Sequence, residues 1–185
     1  MHVCCGPCAA APLLYNLCNG VAPLPPEIGW QGYEITGLFY NPNIHPESEQ
    51  KKRREGAEQA FGIAGRPLMI RSGYMQGEWE SFDKANEIYG NDEKKRLRCE
   101  MCYRTRLAYT ASLAKASGFD AFSTSLLISP YQDHEKIKTI SIEQSIIHKI
   151  SFLYIDWRPY FRESQKVARE AGLYRQKYCG CIFSM

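Results

Sequence analysis

The chain has 185 residues, of which 44% are apolar and 23% are charged, and its formal net charge is +3. This length and composition are typical of one globular domain with a substantial core. No apolar run approaches the roughly 18 residues that a membrane span requires, so we expect no membrane partner. The mild positive charge does not by itself indicate a nucleic-acid-binding protein.

The cysteines indicate both a compartment and a chemistry. Seven of the eight fall in three short motifs, which are Cys-Cys-x-x-Cys at 4–8, Cys-x-x-Cys at 99–102 and Cys-x-Cys at 179–181. In a small secreted chain they would suggest disulfides. Local pairs within an α/β-type sequence instead favour metal or redox chemistry in a reducing cytosol. We therefore expect a cytoplasmic protein.

Strand-like and helix-like segments alternate along the chain. The predicted strands are the residues around Val3 and segments 34–41, 67–71, 120–129 and 151–156. The predicted helices are 9–18, 47–62, 79–86, 92–117, one marked by Ile137, Ile140, Ile147 and Ile150, and 164–172. This order predicts an α/β fold, with a mostly parallel, Rossmann-like sheet of about five strands and helices on both faces.

Residues 1–185 are expected to form a single domain, whose cysteine-containing tail at 174–185 packs over the site. Gly6-Pro7 is expected to end the first strand in a sharp turn, where a binding loop begins.

Polar side chains gather where the predicted strands end, which is where parallel sheets bind their ligands. Those after the second strand are Asn41, Asn43 and His45, and those after the fourth are Tyr131, Asp133 and His134. We expect the first group to contact the substrate and the second to supply proton donors at the pocket mouth. A helix cap with a first-turn acid explains Asp133 equally well, so both interpretations stay open.

Cys4, Cys5, Cys99 and Cys102 provide four thiols from two segments. Soft thiolate ligands select zinc or iron–sulfur clusters, and the spacing leaves both open. Zinc knuckles separate their ligands, so the adjacent pair Cys4-Cys5 favours a cluster. Cys8 opens a predicted helix, whose N-terminus acidifies a thiol, and it is either a ligand or reactive group or a buried thiol without such a role.

Cys179-Gly180-Cys181 differs from the other cysteine motifs because one glycine separates the thiols. Glycine removes a steric barrier to a very small disulfide ring, and such a ring is readily reduced. A redox pair is the favoured interpretation, and two further metal ligands are the alternative. Cys18, late in an apolar helical segment, is predicted to be a core residue.

Basic residues suggest an edge that binds RNA phosphates. The candidate rim consists of arginines near the second cysteine motif and the tail: Arg96, Arg98, Arg104, Arg106, Arg158, Arg162 and Arg175. We expect Arg104 to contact the substrate. The Lys-Lys-Arg-Arg run at 51–54 is predicted to be a solvated helix face, and the alternative is that it belongs to the same rim.

Five motifs along the chain resemble those of a known family. They are HVCCGPC from His2, FYNPNIHP from Phe39, CEMCY from Cys99, TSLLISPYQ from Thr124 and YCGC from Tyr178. These motifs resemble those of the cobalamin-independent epoxyqueuosine reductases, and the resemblance extends over the whole chain.

The resemblance implies the final step of queuosine synthesis, in which an epoxide on the modified wobble base of tRNA is reduced to an alkene. It assigns a 4Fe-4S cluster to Cys4, Cys5, Cys99 and Cys102, and a redox-active disulfide to Cys179 and Cys181. It associates the position of Cys8 with an additional iron beside the cluster. It implies a tRNA partner and an external electron donor, and no cobalamin.

A rival interpretation is a zinc- or cluster-stabilised α/β protein that binds or thiolates tRNA. An ATP-dependent thiolase would need a Ser-Gly-Gly-x-Asp-Ser type of phosphate loop after the first strand, and the segment from Cys4 to Cys8 is not one.

Overall fold

The computed structural model describes residues 1–17 and 33–184, and helices dominate this part of the chain. They are α1 (Gly6–Leu17), α2 (Glu47–Ile63), α3 (Gln76–Ala85), α4 (Asn91–Ala116), α5 (His134–His148) and α6 (Phe161–Glu170). Short 3-10 helices occupy Ser125–Ile128, Arg158–Tyr160 and Ile182–Ser184. Cys18, predicted to be a core residue, lies outside the described residues.

The strands are short and form two parallel pairs. β1 (Gly37–Phe39) pairs with β2 (Leu68–Ile70), and β3 (Ala121–Phe122) pairs with β4 (Ser151–Phe152). His2 makes isolated parallel bridges to Leu38 and to Thr124. The predicted Rossmann-like sheet of about five strands is therefore wrong. The described residues are mostly helical and hold two small two-stranded sheets.

The segment predicted as strand 120–129 shows why the strand prediction failed. Only Ala121 and Phe122 pair with a neighbouring strand. The Thr124 hydroxyl then accepts a hydrogen bond from Leu126 N at 3.2 Å and opens the 3-10 helix, which buries its apolar side chains. Apolar residues of this type pack as well in a buried turn as in a strand, so tertiary packing decides between them.

The N-terminal segment also differs from its prediction. Gly6 does not end a strand in a binding loop, because it is the first residue of α1. A β-carbon on Gly6 would overlap the carbonyl group of Gly56 in α2, so the close crossing of α1 and α2 requires a glycine there. This crossing sets the cysteines at the start of α1 into the protein interior.

Two clusters of buried side chains form most of the core. One joins Cys4, Cys5 and Cys8 to apolar side chains of α4, α5 and the first 3-10 helix. The other lies between α1, α2 and β1. The first cluster therefore places a group of thiols in the centre of the described structure. Within the described residues, no helix is both long and apolar enough to cross a membrane.

Helix α2 buries one side chain that the sequence placed in solvent. Its buried positions Glu49, Arg53, Ala57 and Ala60 recur at helical spacing and form one stripe. The basic run at 51–54 is thus only partly a solvated face, because Arg53 is 2% exposed.

Candidate active site

Three buried thiols converge at the start of α1. The sulfur atoms of Cys4, Cys5 and Cys8 all lie within 4.8 Å of one another, and all three cysteines are buried. The Sγ atoms of Cys4 and Cys5 are 3.7 Å apart. All three are free thiols. Soft ligands at this separation suit a thiophilic metal.

Polar groups surround these sulfurs and point donors at them. The Ser125 hydroxyl lies 3.6 Å from Cys4 Sγ, and the backbone N–H of Cys8 donates to Cys5 Sγ at 3.3 Å. From the tail, Gln176 Nε2 donates to Cys5 Sγ at 3.0 Å and reaches Cys8 Sγ at 3.5 Å. Such N–H donors stabilise thiolates, and around metal sites they hold and tune the ligands.

The three thiols share negative charge unequally. Hydrogen bonds from Cys5 and Cys8 hold the pKa of Cys4 well below its usual range. Burial raises the pKa of Cys5 well above its usual range, and the bond to Cys4 raises that of Cys8. The arrangement therefore concentrates a negative charge on Cys4 and leaves two protons that a metal would displace.

The second cysteine pair lies on α4. Cys102 is buried and Cys99 is half-buried against the same core cluster. Neither belongs to the three-thiol group at the start of α1. Burial raises the pKa of Cys102 to about 12, although Arg106 opposes the shift. This thiol therefore stays protonated near neutral pH unless a metal takes the place of its proton.

Arg106 is the unexpected member of the site. Its side chain is buried, and its guanidinium donates to Cys102 Sγ at 3.0 Å and to Cys102 O at 3.1 Å. No salt bridge to a carboxylate in the described part of the chain involves Arg106. Burial lowers its pKa, but the charges of Cys102 and Cys4 outweigh burial, so the pKa is raised. The hydrogen-bond partner of this buried cation is thus the sulfur of Cys102, which would carry the balancing negative charge once a metal had displaced its proton.

The tail brings the third cysteine motif toward the same region. Cys179 is exposed, Cys181 is half-buried, and both are free thiols. The Sγ of Cys179 lies 3.0 Å from the Ser184 hydroxyl. Burial raises the pKa of Cys99, and the charge of Cys179 adds to that shift. The two cysteine pairs therefore lie within electrostatic reach of each other.

Comparison with known proteins identifies the family. The family model described as epoxyqueuosine reductase QueH matches residues 1–185. The chain belongs to the epoxyqueuosine reductase QueH family. The epoxyqueuosine reductase QueH of Dehalococcoides mccartyi is 31% identical over 186 residues, covering 100% of this chain and 90% of that protein. The protein of the same name from Thermotoga maritima is 34% identical over 154 residues, covering 80% and 78%.

The predicted substrate residues Asn41, Asn43 and His45 differ in their hydrogen bonds. Asn41 is fully engaged, because its Oδ1 pairs with His2 Nε2 at 3.1 Å and its Nδ2 donates to Val3 O at 2.8 Å. His45 is buried with its Nδ1 2.9 Å from the Tyr74 hydroxyl. Buried atoms without a hydrogen-bond partner in the described structure include Asn43 Oδ1 and His45 Nε2. Asn41 thus holds the N-terminal segment in place through His2 and Val3. Asn43 and His45 each have a buried polar atom that makes no hydrogen bond within the described residues.

The three predicted proton donors differ in setting. Asp133 caps α5 by accepting a hydrogen bond from Lys136 N at 2.9 Å. His134 is buried and pairs through Nε2 with Ser129 O at 3.0 Å. Tyr131 is 85% exposed, with its ring edge-on to Phe161. Tyr131 and Asp133 are therefore accessible from solvent, whereas His134 is not.

The predicted phosphate rim is largely occupied by ion pairs. Arg104 contacts Glu143 at 2.6 Å and Glu100 at 3.2 Å, and Arg98 pairs with Asp83. The other paired members are Arg96 with Glu93 and Arg158 with Asp156. Arg106 is buried, which leaves Arg162 and Arg175 as exposed members outside the observed salt bridges of the described residues.

The sequence analysis did not connect three side chains with the thiols, and it placed one of them, Arg106, in the phosphate rim. They are Arg53, Arg106 and Gln176, whose contacts converge on the cysteines or the tail. Spacing could have found Arg106, which lies one helical turn after Cys102. No local pattern marks Gln176, because 171 residues separate it from Cys5.

Proposed function

We propose that this chain is an epoxyqueuosine reductase that acts on the wobble base of tRNA, in the final step of queuosine synthesis. The observation that carries the proposal is the buried thiol site with Arg106 as its counter-charge, in a chain whose family bears that activity as its name. Two electrons and two protons convert the epoxide to an alkene and water.

The residues fit an iron–sulfur cofactor. Burying a guanidinium without an anion is costly, and here the available anions are thiolates. Cys4, Cys5, Cys99 and Cys102 would hold a 4Fe-4S cluster, and Cys8 would bind an additional iron. When bound, this group would supply single-electron transfer and an open iron as a Lewis acid toward the epoxide oxygen. No cobalamin is required.

The chain's own residues would set the conditions for that chemistry. Arg106 compensates the negative charge of the ligands, and Gln176 donates to Cys5 Sγ. The core cluster around the thiols excludes water, which strengthens both interactions.

Cys179 and Cys181 would supply the electrons. Oxidation of the two thiols to a disulfide releases two protons and two electrons, which balances reduction of one epoxide to alkene and water. An external electron donor would then reduce the disulfide. The exposure of Cys179 supports this role, because a donor must reach the sulfur.

An unstacked wobble base of the tRNA would contact the exposed Tyr131, together with Asn43 and His45, whose buried Oδ1 and Nε2 atoms have no hydrogen-bond partner in the described residues. Arg162 and Arg175 would bind phosphates, and Arg104 would do so by exchanging its carboxylate partners. Tyr131, Asp133 or His134 would donate the proton to the departing oxygen. Binding of the anticodon stem-loop should therefore weaken as salt rises.

The decisive test is anaerobic purification followed by metal analysis and an assay on tRNA that carries epoxyqueuosine. We expect a brown protein that contains iron and sulfide and converts the nucleoside to queuosine, as measured by mass spectrometry. A colourless protein with stoichiometric zinc and no conversion would contradict the proposal and favour the zinc-stabilised binding module.

A further inference from the structure

Arg53 is buried where α2 meets the tail, and each nitrogen of its guanidinium donates a hydrogen bond. Nε pairs with Glu49 Oε1 at 2.7 Å. Nη1 donates to Cys179 O at 3.0 Å, and Nη2 donates to Tyr178 O at 2.9 Å. One planar group therefore joins a buried carboxylate to two consecutive carbonyls at the redox motif, a geometry that a lysine ammonium cannot reproduce.

The same stretch of tail is held from its other side. His45 N donates to Gly180 O at 2.8 Å, and the Tyr178 hydroxyl donates to His45 O. The Tyr178 ring lies against the Arg53 cation, 5.1 Å from its centroid. Together with Arg53, these contacts fix the backbone from Tyr178 to Gly180 at both edges. We call Arg53 and His45, with the hydrogen bonds that they make to this stretch of tail, the clamp.

Gly180 fits this clamp because it has no side chain. Its φ of +105° belongs to the region that favours glycine, and a β-carbon there would lie 3.0 Å from both Arg53 Nη1 and Ile44 Cγ1. The glycine between the two thiols therefore permits both the turn and the close approach of the arginine.

The clamp holds the backbone but leaves the sulfurs free to react. The hydrogen bonds that Arg53 and His45 N donate to the tail end on main-chain oxygens, whereas Cys179 Sγ is exposed and contacts the Ser184 hydroxyl. A redox pair needs this combination, because the sulfurs must rotate to form and break a bond while their distance from a reaction partner stays fixed.

We propose that Arg53, anchored by Glu49, is a positioning residue that holds Cys179 and Cys181 in working position beside the thiols of α4. This inference rests on the proposed function, because it assumes that the tail thiols are the electron source. It gives a role to a residue of α2, a helix that contains no cysteine. It also explains a buried arginine within an otherwise exposed basic run.

The test compares Arg53→Lys and Gly180→Ala with Arg54→Lys in the anaerobically purified holoenzyme. Arg54 is the next residue on α2 and pairs with Glu58 at 3.8 Å, so it is a matched control. Both clamp variants should keep the iron content and the KM for tRNA and lower kcat by about 100-fold, the typical cost of a misplacement of about 1 Å. Gly180→Ala changes the clamp at the tail and leaves α2 unaltered. Its effect therefore cannot arise from a disturbance of α2 by a lysine at position 53.

A second readout does not need turnover. Alkylation of half-buried Cys181, followed by mass spectrometry, should become about tenfold faster in both clamp variants, because a lost hydrogen bond to a charged group opens the tail. Unchanged alkylation and unchanged kcat in both variants would overturn the positioning role while leaving the proposed function intact. If the wild type itself fails to reduce epoxyqueuosine, the proposed function fails, and faster alkylation would still identify the clamp.

Discussion

The N-terminal and tail cysteines are held in opposite ways. Around Cys4, Cys5 and Cys8 the hydrogen bonds go to the sulfur atoms, from Ser125, Gln176 and the backbone. In the tail, Arg53 contacts the carbonyl oxygens of Tyr178 and Cys179, and the sulfur of Cys179 is exposed with the Ser184 hydroxyl beside it. Fixed, buried and charge-compensated sulfurs suit ligands, whereas free sulfurs on a fixed backbone suit thiol–disulfide exchange.

Charge divides the two groups less sharply. The charges of Cys102 and Cys4 oppose the effect of burial most strongly and raise the pKa of Arg106, and Cys179 of the tail adds a smaller contribution. In the tail, burial raises the pKa of Cys181, which lowers its fraction of thiolate at neutral pH. The comparison therefore assigns the two groups different chemistry, and each prediction below changes one side of it.

The largest effect is expected from removing a sulfur of the N-terminal group. Cys5→Ala should lower the iron content to about a tenth or less of wild type and abolish turnover, because the ligand set is incomplete. The control is Cys181→Ala in the other group, which should keep its iron. Metal analysis with circular dichroism separates ligand loss from unfolding. Full iron occupancy in Cys5→Ala would remove Cys5 from the ligand set.

A smaller effect is expected when the counter-charge is removed. Arg106→Met keeps much of the side-chain volume but leaves the thiolates uncompensated, so iron affinity should fall by about 10- to 100-fold. Arg106→Lys should restore part of it. Arg96→Met, at an exposed position of the same helix, should leave affinity unchanged. Iron retention during titration with a chelator measures the difference, and equal retention in Arg106→Met and wild type would refute the role.

The smallest effect concerns the contact from the tail to Cys5. An N–H donor stabilises the more negative, reduced form of a cluster, so Gln176→Leu should lower its reduction potential, by on the order of 50 mV. Gln165→Leu removes an amide on α6 that pairs with Arg175 at 3.3 Å, and it should not shift the potential. A spectroscopic redox titration distinguishes them. An unchanged potential in Gln176→Leu would show that the tail does not tune the N-terminal group.

Long helices were predictable from sequence because periodic burial extends over many residues. Segment 47–62 corresponds to Glu47–Ile63, and segment 92–117 corresponds to Asn91–Ala116. The strands were not predictable from sequence. Apolar content is the same in a strand that pairs over two or three residues and in an unpaired extended or 3-10 segment of the core. Segment 151–156 illustrates this, since only Ser151 and Phe152 pair.

The parts of the site that lie in short cysteine motifs were predictable from sequence. The residues that reach the cysteines only in the folded chain were not. Cysteine spacing singled out Cys4 and Cys5 of the three-thiol group, but it left the role of Cys8 open and grouped the first two with Cys99 and Cys102 instead. The partners of those thiols were hidden by residue type, because Arg53 and Arg106 resemble surface cations in sequence. The stripe that includes Glu49, Arg53 and Ala57 contained the signal, since an ion pair at four-residue spacing lies on the apolar face of α2.

The division between the two groups of cysteines is tested most directly by Cys179→Ser, measured for iron, visible absorbance and turnover in the same anaerobic preparation. The substitution replaces one exposed sulfur with oxygen and leaves the clamped backbone in place. The account predicts the wild-type iron content and absorbance, unchanged tRNA binding, and loss of repeated turnover. Loss of iron in proportion to loss of activity would show that Cys179 is a ligand and would contradict the division.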